Sequence, residues 1–565
     1  MDEQPKIKDL LYEIERLKKE NTELKISRPY GLVWEDKPEQ FEADSKNALP
    51  VLVEKGGRFK DVDLDPSAGY DVLIEGDNYH ALSVLAYTHK GKVDLIYIDP
   101  PYNTGARDWK YNNDYVDSND LFRHSKWLSF MYKRLVLAKD LLKPDGVVIV
   151  TIDDWEAHNL QLLLEAIFPE RELTTVVIEH NPKGSPSRNF TYSHEYALFM
   201  IPRGQSIIGN DPKEKEDTRN LRRAGRASMR EDRPTMFYPI YVKNGKVLKV
   251  GMPPKESFHP KGRNTVESDG VIAVWPIDEQ GKERRWHFGL DSIDEYLSRI
   301  EVKGQKGDIQ LYVTAVPGRY KTVWTGGDLD AGKYGTTLVK DILGTEFPFP
   351  KSLYATARCL ETVVLNRPNA LIVDFFAGSG TTGHAVLQLN KQFGGNRKFV
   401  LCTNNEGNIC EDVTYKRLKK VMEGYSDSSK RKIQGLGGNL KYLKRDFVPK
   451  HVEYGLTDEA RLDLTRRANL LLALKEGTFT PVLLTDRYDI YSSPTNITGI
   501  YFTEDKSDVN KMLEQLNKHA EGRRVRVYVF SWEKGAYKSG SEEYPDFEFE
   551  DIPEPILEVY RSIGY

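Results

Sequence analysis

The chain has 565 residues, of which 39% are hydrophobic and 29% charged. A chain of this length is too long for one hydrophobic core, so we expect two to four domains. It contains no apolar run long enough to cross a bilayer and is charged from Asp2 onward, which argues against a membrane protein and a secretory signal. Its three cysteines form no CxxC pair, so we expect no disulfide framework, no metal site and a cytoplasmic location. The net charge of −4 excludes a uniformly basic protein but allows a local basic surface.

Residues 1–28 carry the pattern of an amphipathic helix. Apolar residues recur at spacings of three and four, charged residues flank them, and Asn21 interrupts the stripe. The stripe consists of Ile7, Leu10, Ile14, Leu17 and Leu24. The pattern is equally typical of a short coiled coil, which predicts a homodimer, and of one helix packed on its own domain.

Residues 30–201 alternate strands with helices after an irregular polar segment that ends near residue 70. The predicted strands are 70–74, 92–98, 147–151, 176–179 and 196–201. The predicted helices are 79–87, 121–142 and one that ends at Ile167. This alternation is typical of an α/β sheet covered on both faces.

The pattern breaks over residues 202–340, where glycine, proline, arginine and tryptophan are frequent, and this predicts an inserted mixed domain. The α/β pattern returns over residues 341–450. Helices are predicted at 353–365, 381–389 and 412–424, and strands at 370–375 and 398–403. Residues 455–565 are predicted to form a small C-terminal α+β domain, with a helix over 460–475, short strands such as 524–530 and a last helix near 555–563.

A glycine-rich turn, Phe376-Ala-Gly-Ser-Gly-Thr-Thr382, follows a strand of the buried type. Gly378 and Gly380 permit a tight turn and a close approach of the backbone to a ligand, and Thr381 opens a helix whose amides favour a negative group. The next strand ends near Glu406, where nucleotide-binding folds place an acid on ribose hydroxyls. The third glycine of a dinucleotide site and a phosphate-binding P-loop are both missing from the sequence. Alone, the turn is also compatible with a purely structural role.

The tetrapeptide Asp99-Pro-Pro-Tyr102 ends an earlier strand. The Asp99 carboxylate and the Pro100 carbonyl can accept the two N–H bonds of an exocyclic amine, and the prolines fix the direction of that carbonyl. Tyr102 offers a ring on which an extruded base can stack. A plain strand-to-turn ending is the alternative interpretation. We expect both motifs to lie at strand ends of one parallel sheet.

The residues favour amine chemistry over ring-carbon chemistry. Methylation at cytosine C5 needs a thiolate nucleophile, usually in a Pro-Cys pair, and the three cysteines follow arginine, leucine and isoleucine. The two acceptors serve adenine N6 and cytosine N4 equally well, so the residues alone leave both open.

Taken together, these motifs resemble the β-class adenine-N6 DNA methyltransferases and, more narrowly, the modification (Mod) subunits of type III restriction systems. The agreeing segments are 31–35, 74–82, 97–105, 152–154, 194–196, 231–234, 349–352 and 402–406. The resemblance implies an α/β, Rossmann-like S-adenosylmethionine-dependent methyltransferase fold with circularly permuted motif order. It also implies five regions: the helix of 1–28, a catalytic half at 30–201, a target recognition domain at 202–340, a cofactor half at 341–450 and the domain of 455–565.

The resemblance also implies roles for individual residues. The catalytic residues would be Asp99, Pro100, Pro101 and Tyr102. The residues that bind S-adenosylmethionine would be Asp77 near the adenine, Lys351 and Ser352 beside the methionine end, Glu406 on the ribose, and Asp374, Phe376, Gly378, Gly380 and Thr381 in the loop.

An arginine-rich segment lies between the two halves and predicts DNA contact, although a solvated charged loop is the plainer interpretation. The candidates are Arg219, Arg222, Arg223, Arg226 and Arg230. Nearby aromatic residues are as compatible with a core as with base stacking; they are Trp275, Trp286, His287 and Trp324.

The expected function is methyl transfer from S-adenosylmethionine to the N6 amine of a flipped-out adenine in duplex DNA. The expected context is restriction-modification or phage defence, with a restriction (helicase-nuclease) subunit as a candidate partner. The alternatives are an N4-cytosine DNA methyltransferase, a DNA-specificity subunit of a larger restriction complex with vestigial catalysis, and, as a weaker option, an enzyme acting on RNA.

Overall fold

The structure is a computed structural model that describes residues 34–56, 59–65, 67–111, 114–186, 188–212, 218–304, 308–314, 318–450, 457–532 and 543–565. The predicted coiled-coil helix of residues 1–28 lies outside these ranges. The chain divides into two compact units, Met1–Gly209 with Lys321–Tyr565, and Asn210–Tyr320. Among the helices within these ranges, none is long and apolar enough to cross a membrane.

The first unit is built on an eleven-stranded mixed sheet. Its strands are β1 (Ala48–Glu54), β2 (Val62–Asp63), β3 (Asp71–Glu75), β4 (Val93–Ile98), β5 (Leu142–Ile152), β6 (Arg171–Ile178), β7 (Glu195–Pro202), β8 (Val323–Trp324), β9 (Leu371–Asp374), β10 (Lys398–Thr403) and β11 (Asn439–Pro449). Their spatial order is β1-β11-β3-β10-β9-β4-β5-β7-β6-β8, and β2 pairs with β11.

The centre of this sheet is parallel and its flanks are not. The six strands from β11 to β5 run parallel, whereas β1 is antiparallel to β11, and β7 lies antiparallel between β5 and β6. The expectation of one parallel sheet is therefore right for the strands that carry both motifs and wrong at the flanks. The described residues between β6 and β7 contain no crossover helix of the kind that joins parallel strands, which agrees with the antiparallel pairing of these two consecutive strands.

Helices cover the sheet and complete the first unit. They are α1 (Gln40–Asn47), α2 (Asn78–Thr88), α3 (Arg123–Lys139), α4 (Ala157–Ile167), α5 (Leu338–Leu343), α6 (Leu353–Val364), α7 (Thr381–Phe393), α8 (Lys416–Glu423), α9 (Asp458–Arg467), α10 (Asn469–Glu476), α11 (Val509–Ala520) and α12 (Glu554–Ser562). All six residues of β4 are buried, as expected for a parallel strand covered on both faces.

The C-terminal region has its own five-stranded sheet but shares a hydrophobic core with the main one. Its strands, in spatial order, are β12 (Thr480–Leu484), β13 (Tyr488–Ser492), β14 (Asn496–Tyr501), β15 (Arg524–Phe530) and β16 (Phe547–Ile552). Ile556 and Leu557 of α12 are buried in the same cluster as the main strands, and the Tyr560 hydroxyl donates to the Pro50 carbonyl at 2.6 Å. The described part of this region belongs to the first compact unit, and the predicted small α+β domain of 455–565 stays a prediction.

Three local predictions are wrong for identifiable reasons. The segment before residue 70 is not irregular, because it forms α1 and β1; Pro50 within β1 is tolerated since β1 is an edge strand. The long strand β11 was not predicted because charged residues interrupt it, yet Lys441 is buried there in an ion pair with Glu54. The helix predicted over 460–475 is two helices, α9 and α10, which meet at Ala468.

The second unit contains two small sheets and a hydrophobic core of mostly aliphatic residues with a few aromatic ones. Its strands are Thr218–Asn220, Gln310–Thr314 and Ile300–Lys303 in one sheet, and Lys246–Val250, Ile240–Lys243, Ile272–Val274 and Asn264–Val266 in the other. Its short α-helix is Leu290–Ile293. Trp275 and Trp286 are buried, so they serve the core, and Trp324 is buried in β8 of the first unit. The ends of the unit pair with each other, because Asn210 bridges Arg319.

Candidate active site

The two sequence motifs lie at the same edge of the main sheet. β4 and β9 are parallel neighbours, with Ile96 opposite Val373, so both strands end at this edge. Asp99 directly follows β4, and Asp374 is the last residue of β9. Ligands of open α/β sheets bind at the carboxyl ends of the strands, which makes this edge the candidate site.

Asp99 is held by one hydroxyl and one ammonium. The Thr151 hydroxyl, on β5, donates to Asp99 Oδ1 at 2.7 Å, and Lys351 Nζ lies 3.2 Å from the same oxygen. The Asp99 side chain is 25% exposed, so a ligand can reach it. Burial raises the pKa of Asp99, the Lys351 ammonium opposes that rise, and the Glu195 carboxylate adds to it. The charge of this acceptor therefore depends on two neighbouring side chains.

The turn that contains the prolines is anchored on both sides. The Trp127 indole, fully buried on α3, donates to the Pro101 carbonyl at 2.7 Å. Asn103, which is buried with a left-handed φ of 57°, donates to the Glu156 carboxylate at 2.5 Å. His124 pairs with the same carboxylate at 2.6 Å. These contacts fix the backbone around Pro100 and Pro101.

Tyr102 presents its ring beside Asp99 and its hydroxyl to a carboxylate. The hydroxyl donates to Glu195 Oε2 at 2.8 Å, and Lys351 Nζ lies 4.4 Å from the centroid of the ring. Burial, followed by the charges of Asp99 and Glu195, raises the pKa of Tyr102 well above its ordinary value. Tyr102 therefore stays protonated, as a donor to Glu195.

The glycine-rich turn uses both of its glycines. Gly378 has a φ of 49° and Gly380 a φ of 78°, both in the left-handed region that favours glycine. A Cβ at Gly380 would lie 3.1 Å from Cγ2 of Thr414, whereas a Cβ at Gly378 would have one heavy atom of the described residues within 4 Å, the Phe376 carbonyl oxygen at 3.8 Å. The turn is thus packed on one side and open at Gly378, which fits a small ligand lying against the backbone.

A buried arginine stabilises the glycine-rich turn through hydrogen bonds. Arg417 Nη1 donates to Ser379 Oγ at 3.0 Å and to Thr381 Oγ1 at 2.8 Å, so the Thr381 hydroxyl has an internal partner. The Thr414 hydroxyl donates to the Gly378 carbonyl at 2.5 Å. Burial lowers the pKa of Arg417 to about 10, which still leaves it charged at neutral pH.

Asp374 gives the first unit a specific pH dependence of stability. Burial raises its pKa to about 7 from 3.8, although Thr382 and the Phe376 amide both donate to it. The folded state then binds a proton between these pH values that the unfolded state releases, so we expect the free energy of unfolding to fall as pH rises from about 4 to about 7, by on the order of 4 kcal/mol. Thermal unfolding of Asp374→Asn should lack this component; curves that stay parallel to the wild type across this range would contradict it.

The other predicted cofactor residues lie around the same edge. Asp77 caps α2 by accepting from the Tyr79 amide at 2.9 Å, and its side chain is 44% exposed. Ser352 caps α6, and Glu406 is exposed after the end of β10. The described contacts of Lys351 are with Asp99, Tyr102 and Glu195, and its predicted place beside the methionine end of the cofactor stays a prediction.

Sequence reasoning did not single out Glu195, Arg417 and Glu156 as site residues. Glu195 belongs to the His-Glu-Tyr segment that agrees with the family. This agreement could have marked Glu195 as a site residue, but it did not indicate what the residue does. Arg417 gave no signal, because it lies in a strongly basic helix, a composition that is typical of a solvated surface. Among the described residues, no group of three or more His, Cys, Asp or Glu side chains could hold a metal ion.

The predicted DNA-contacting arginines of the second unit differ in their availability. Arg230 is buried and donates to Glu283, and Arg222 pairs with Glu279, so both are engaged inside the unit. Arg219 and Arg226 are exposed and Arg223 is half-buried. The DNA-contact hypothesis therefore rests on these three.

Arg219 and Arg223 belong to a concentration of positive charge. Burial lowers the pKa of His287 to about 4, and Arg219, Arg223 and Arg285 add to that effect. The pKa of Arg285 is likewise lowered by burial first and then by Arg223 and Arg233. Such a cluster favours an anionic partner.

Residues 93–406 match the family model of N6 and N4 methyltransferases, described as DNA methylase. The chain therefore belongs to this family and is a DNA methyltransferase whose methyl donor is S-adenosylmethionine. The family resemblance and the Rossmann-like methyltransferase fold expected from the sequence are thereby confirmed.

Individual relatives agree with this assignment. The type II methyltransferase M.KpnI of Klebsiella pneumoniae is 31% identical over 394 residues, which are 64% of this chain and 89% of that protein. The EcoPI Mod subunit of Escherichia phage P1 and the StyLTI Mod subunit of Salmonella typhimurium are each 29% identical, over 60% and 70% of this chain. The chain spans 58% and 62% of the length of these two Mod subunits. The match to the solved M1.HpyAVI-SAM complex has a TM-score of 0.29 at 13% sequence identity. It covers 62% of this chain and 97% of the chain in that complex.

Proposed function

We propose that the chain methylates the N6 amine of adenine in duplex DNA, at a specific sequence. The observation that carries the proposal is the position of Asp99, a partly exposed carboxylate beside the Tyr102 ring, one strand away from the glycine-rich turn. The likeness to M.KpnI and to two Mod subunits supports a restriction-modification context.

The proposed chemistry is positioning and polarisation by acceptors. Asp99 accepts one N–H of the target amine and the Pro100 carbonyl accepts the other, which frees the nitrogen lone pair for attack. Pro101 and Asn103 keep that carbonyl in place through their contacts with Trp127 and Glu156. Tyr102 stacks on the extruded base, which must leave the duplex to reach the site.

The proposed cofactor site follows the edge of β9, β3 and β10. Gly378 and Gly380 let the backbone approach the cofactor, Phe376 and Asp374 precede them, Thr381 opens α7, and Ser352 opens α6. Asp77 and Glu406 supply exposed carboxylates at the neighbouring strand ends, suited to adenine and ribose groups. S-adenosylmethionine supplies an electrophilic sulfonium methyl group when bound.

The test is methyl transfer with identification of the product. Purified protein, methyl-labelled S-adenosylmethionine and a library of duplex DNA should give labelled DNA, and digestion to nucleosides should give N6-methyl-2′-deoxyadenosine. N4-methyl-2′-deoxycytidine would instead support the alternative that the same two acceptors allow. Folded, cofactor-bound protein that labels no duplex would contradict the proposal. Labelling of RNA in preference to DNA would show that RNA, and not duplex DNA, is the substrate.

We also propose that Arg219, Arg223 and Arg226 contact DNA phosphates. Their simultaneous replacement by glutamine should weaken DNA binding and reduce the slope of log K against log salt by about one for each phosphate that is no longer neutralised. The control with an equal loss of charge is Arg466→Gln with Lys511→Gln and Lys518→Gln, all exposed on helices of the first unit. Fluorescence anisotropy at several salt concentrations measures both; equal slopes in the two triple variants would contradict the assignment.

Two partner proposals concern the assembly. The likeness to Mod subunits motivates a restriction (helicase-nuclease) subunit as partner, which co-purification with a neighbouring gene product tests.

The amphipathic pattern of residues 1–28 motivates a homodimer, and an unchanged solution mass after their removal would contradict it.

A further inference from the structure

A lysine ammonium lies between two carboxylates at the candidate site. Lys351 Nζ is 3.2 Å from Asp99 Oδ1 and also forms an ion pair with Glu195. The side chain of Glu195 is 3% exposed, that of Lys351 17% and that of Asp99 25%. Two anions therefore share one cation, and the more deeply buried anion is the one that sequence reasoning had not assigned.

The three charges come from three separate elements. Asp99 follows β4, Glu195 begins β7, and Lys351 precedes the cap of α6. Tyr102 donates to Glu195, which fixes that carboxylate relative to the ring. Other titratable groups also interact electrostatically with the cluster: Tyr97, His180, Cys359 and Asp374.

Electrostatics makes the ionisation of Asp99 depend on Lys351. Burial and the like charge of Glu195 raise the pKa of Asp99, and the ammonium opposes both. Burial alone would also raise the pKa of Glu195, but Lys351 brings it below its ordinary value. The two carboxylates in turn raise the pKa of Lys351, so the ammonium stays charged. A protonated Asp99 would present a donor to the target amine instead of an acceptor.

The ammonium also contacts the same two groups that the target amine would use. It lies beside the Asp99 carboxylate and over the Tyr102 ring. Glu195 offers it a second carboxylate away from Asp99, so Lys351 can remain paired when an amine takes the Asp99 oxygen.

We propose that Glu195 and Lys351 form a charge clamp on Asp99: Lys351 keeps Asp99 ionised as the acceptor of the target amine, and Glu195 limits that effect because it shares the same ammonium. Both act through Asp99 and are positioning residues. The inference rests on the proposed function, because it assigns Asp99 the role of acceptor.

The test compares the pH dependence of single-turnover methyl transfer in the wild type, Lys351→Met, Glu195→Gln and Lys351→Arg. Loss of the ammonium should move the acidic limb of the profile of Lys351→Met to higher pH by about one to two units. Loss of the second anion should move the limb of Glu195→Gln to lower pH, since Asp99 then has the ammonium to itself. Lys351→Arg should restore a limb close to that of the wild type.

Opposite shifts in the two variants are the signature of the clamp, since a general loss of packing would move both limbs in one direction or lower the rate at every pH. Unmoved limbs, or shifts of the same sign, would overturn the inference. Carbon-13 labelling of aspartate carboxyl groups, with Asp99→Asn for assignment, reads the titration of Asp99 directly in all four proteins. This second readout decides the clamp even if the wild type transfers no methyl group, an outcome that would overturn only the proposed function.

Discussion

Asp99→Ala is expected to reduce single-turnover methyl transfer by about 1000-fold while the affinity for S-adenosylmethionine stays within about threefold of the wild type. The magnitude is that of removing one positioned acceptor or donor from an active site, which lowers rates by about 10²–10⁴-fold. Cofactor affinity is expected to survive because Asp99 contacts Thr151 and Lys351 rather than the glycine-rich turn.

The matched control removes the partner of Asp99 and keeps the carboxylate. Thr151→Val deletes one donor to Asp99 and preserves the shape of the side chain, so we expect a reduction of about tenfold or less. Rapid-quench methyl transfer and isothermal titration of the cofactor measure the two quantities. If cofactor affinity fell in step with activity in Asp99→Ala, Asp99 would have a structural role and the acceptor assignment would fail.

Arg417→Met is expected to weaken cofactor binding at least about tenfold and to destabilise the first unit by about 3 kcal/mol. Arg417 is fully buried and bonds the Ser379 and Thr381 hydroxyls, so methionine fills the space but leaves these groups without their donor. The turn then lacks two of its side-chain hydrogen bonds, at the residues that follow Gly378 and Gly380. The affinity falls because the ligand must reorder a turn that was preformed.

Arg431→Met is the control, because Arg431 is an arginine with a 77% exposed side chain that pairs only locally with Asp427, and surface pairs contribute little. Differential scanning fluorimetry with and without cofactor separates the two effects. An Arg417→Met protein with a normal cofactor-induced shift in Tm would show that the turn holds its shape without the arginine.

The local parts of the site were predictable from sequence because their signals are short-range. The strand before Asp99 is apolar at every position except Asp94, and the glycines at 378 and 380 occupy positions that need a positive φ. The sequence also predicted that both motifs end strands of one parallel sheet, whereas the pairing of β4 with β9 was not predicted and is seen in the structure.

The parts that sequence reasoning missed depend on contacts between distant segments. The ion pairs of Lys351 with Asp99 and Glu195 were not predicted, because tertiary packing brings these three side chains together from separate segments. Arg417 lies in a helix whose basic composition predicts solvent exposure, yet its guanidinium is fully buried. No periodicity reports such pairings, because each residue satisfies a partner supplied by another part of the fold.

The paired ends of the second unit bear on how new specificities can arise. Asn210 bridges Arg319, and the Asp211 amide donates to the Gly318 carbonyl at 2.9 Å, so the inserted segment leaves and rejoins the chain at one narrow neck. Recombination at this neck would exchange the whole second unit without altering a strand of the main sheet. If the second unit reads the DNA, as its predicted role as the target recognition domain implies, the order of motifs lets the DNA sequence that is read diverge while the main sheet keeps both motifs.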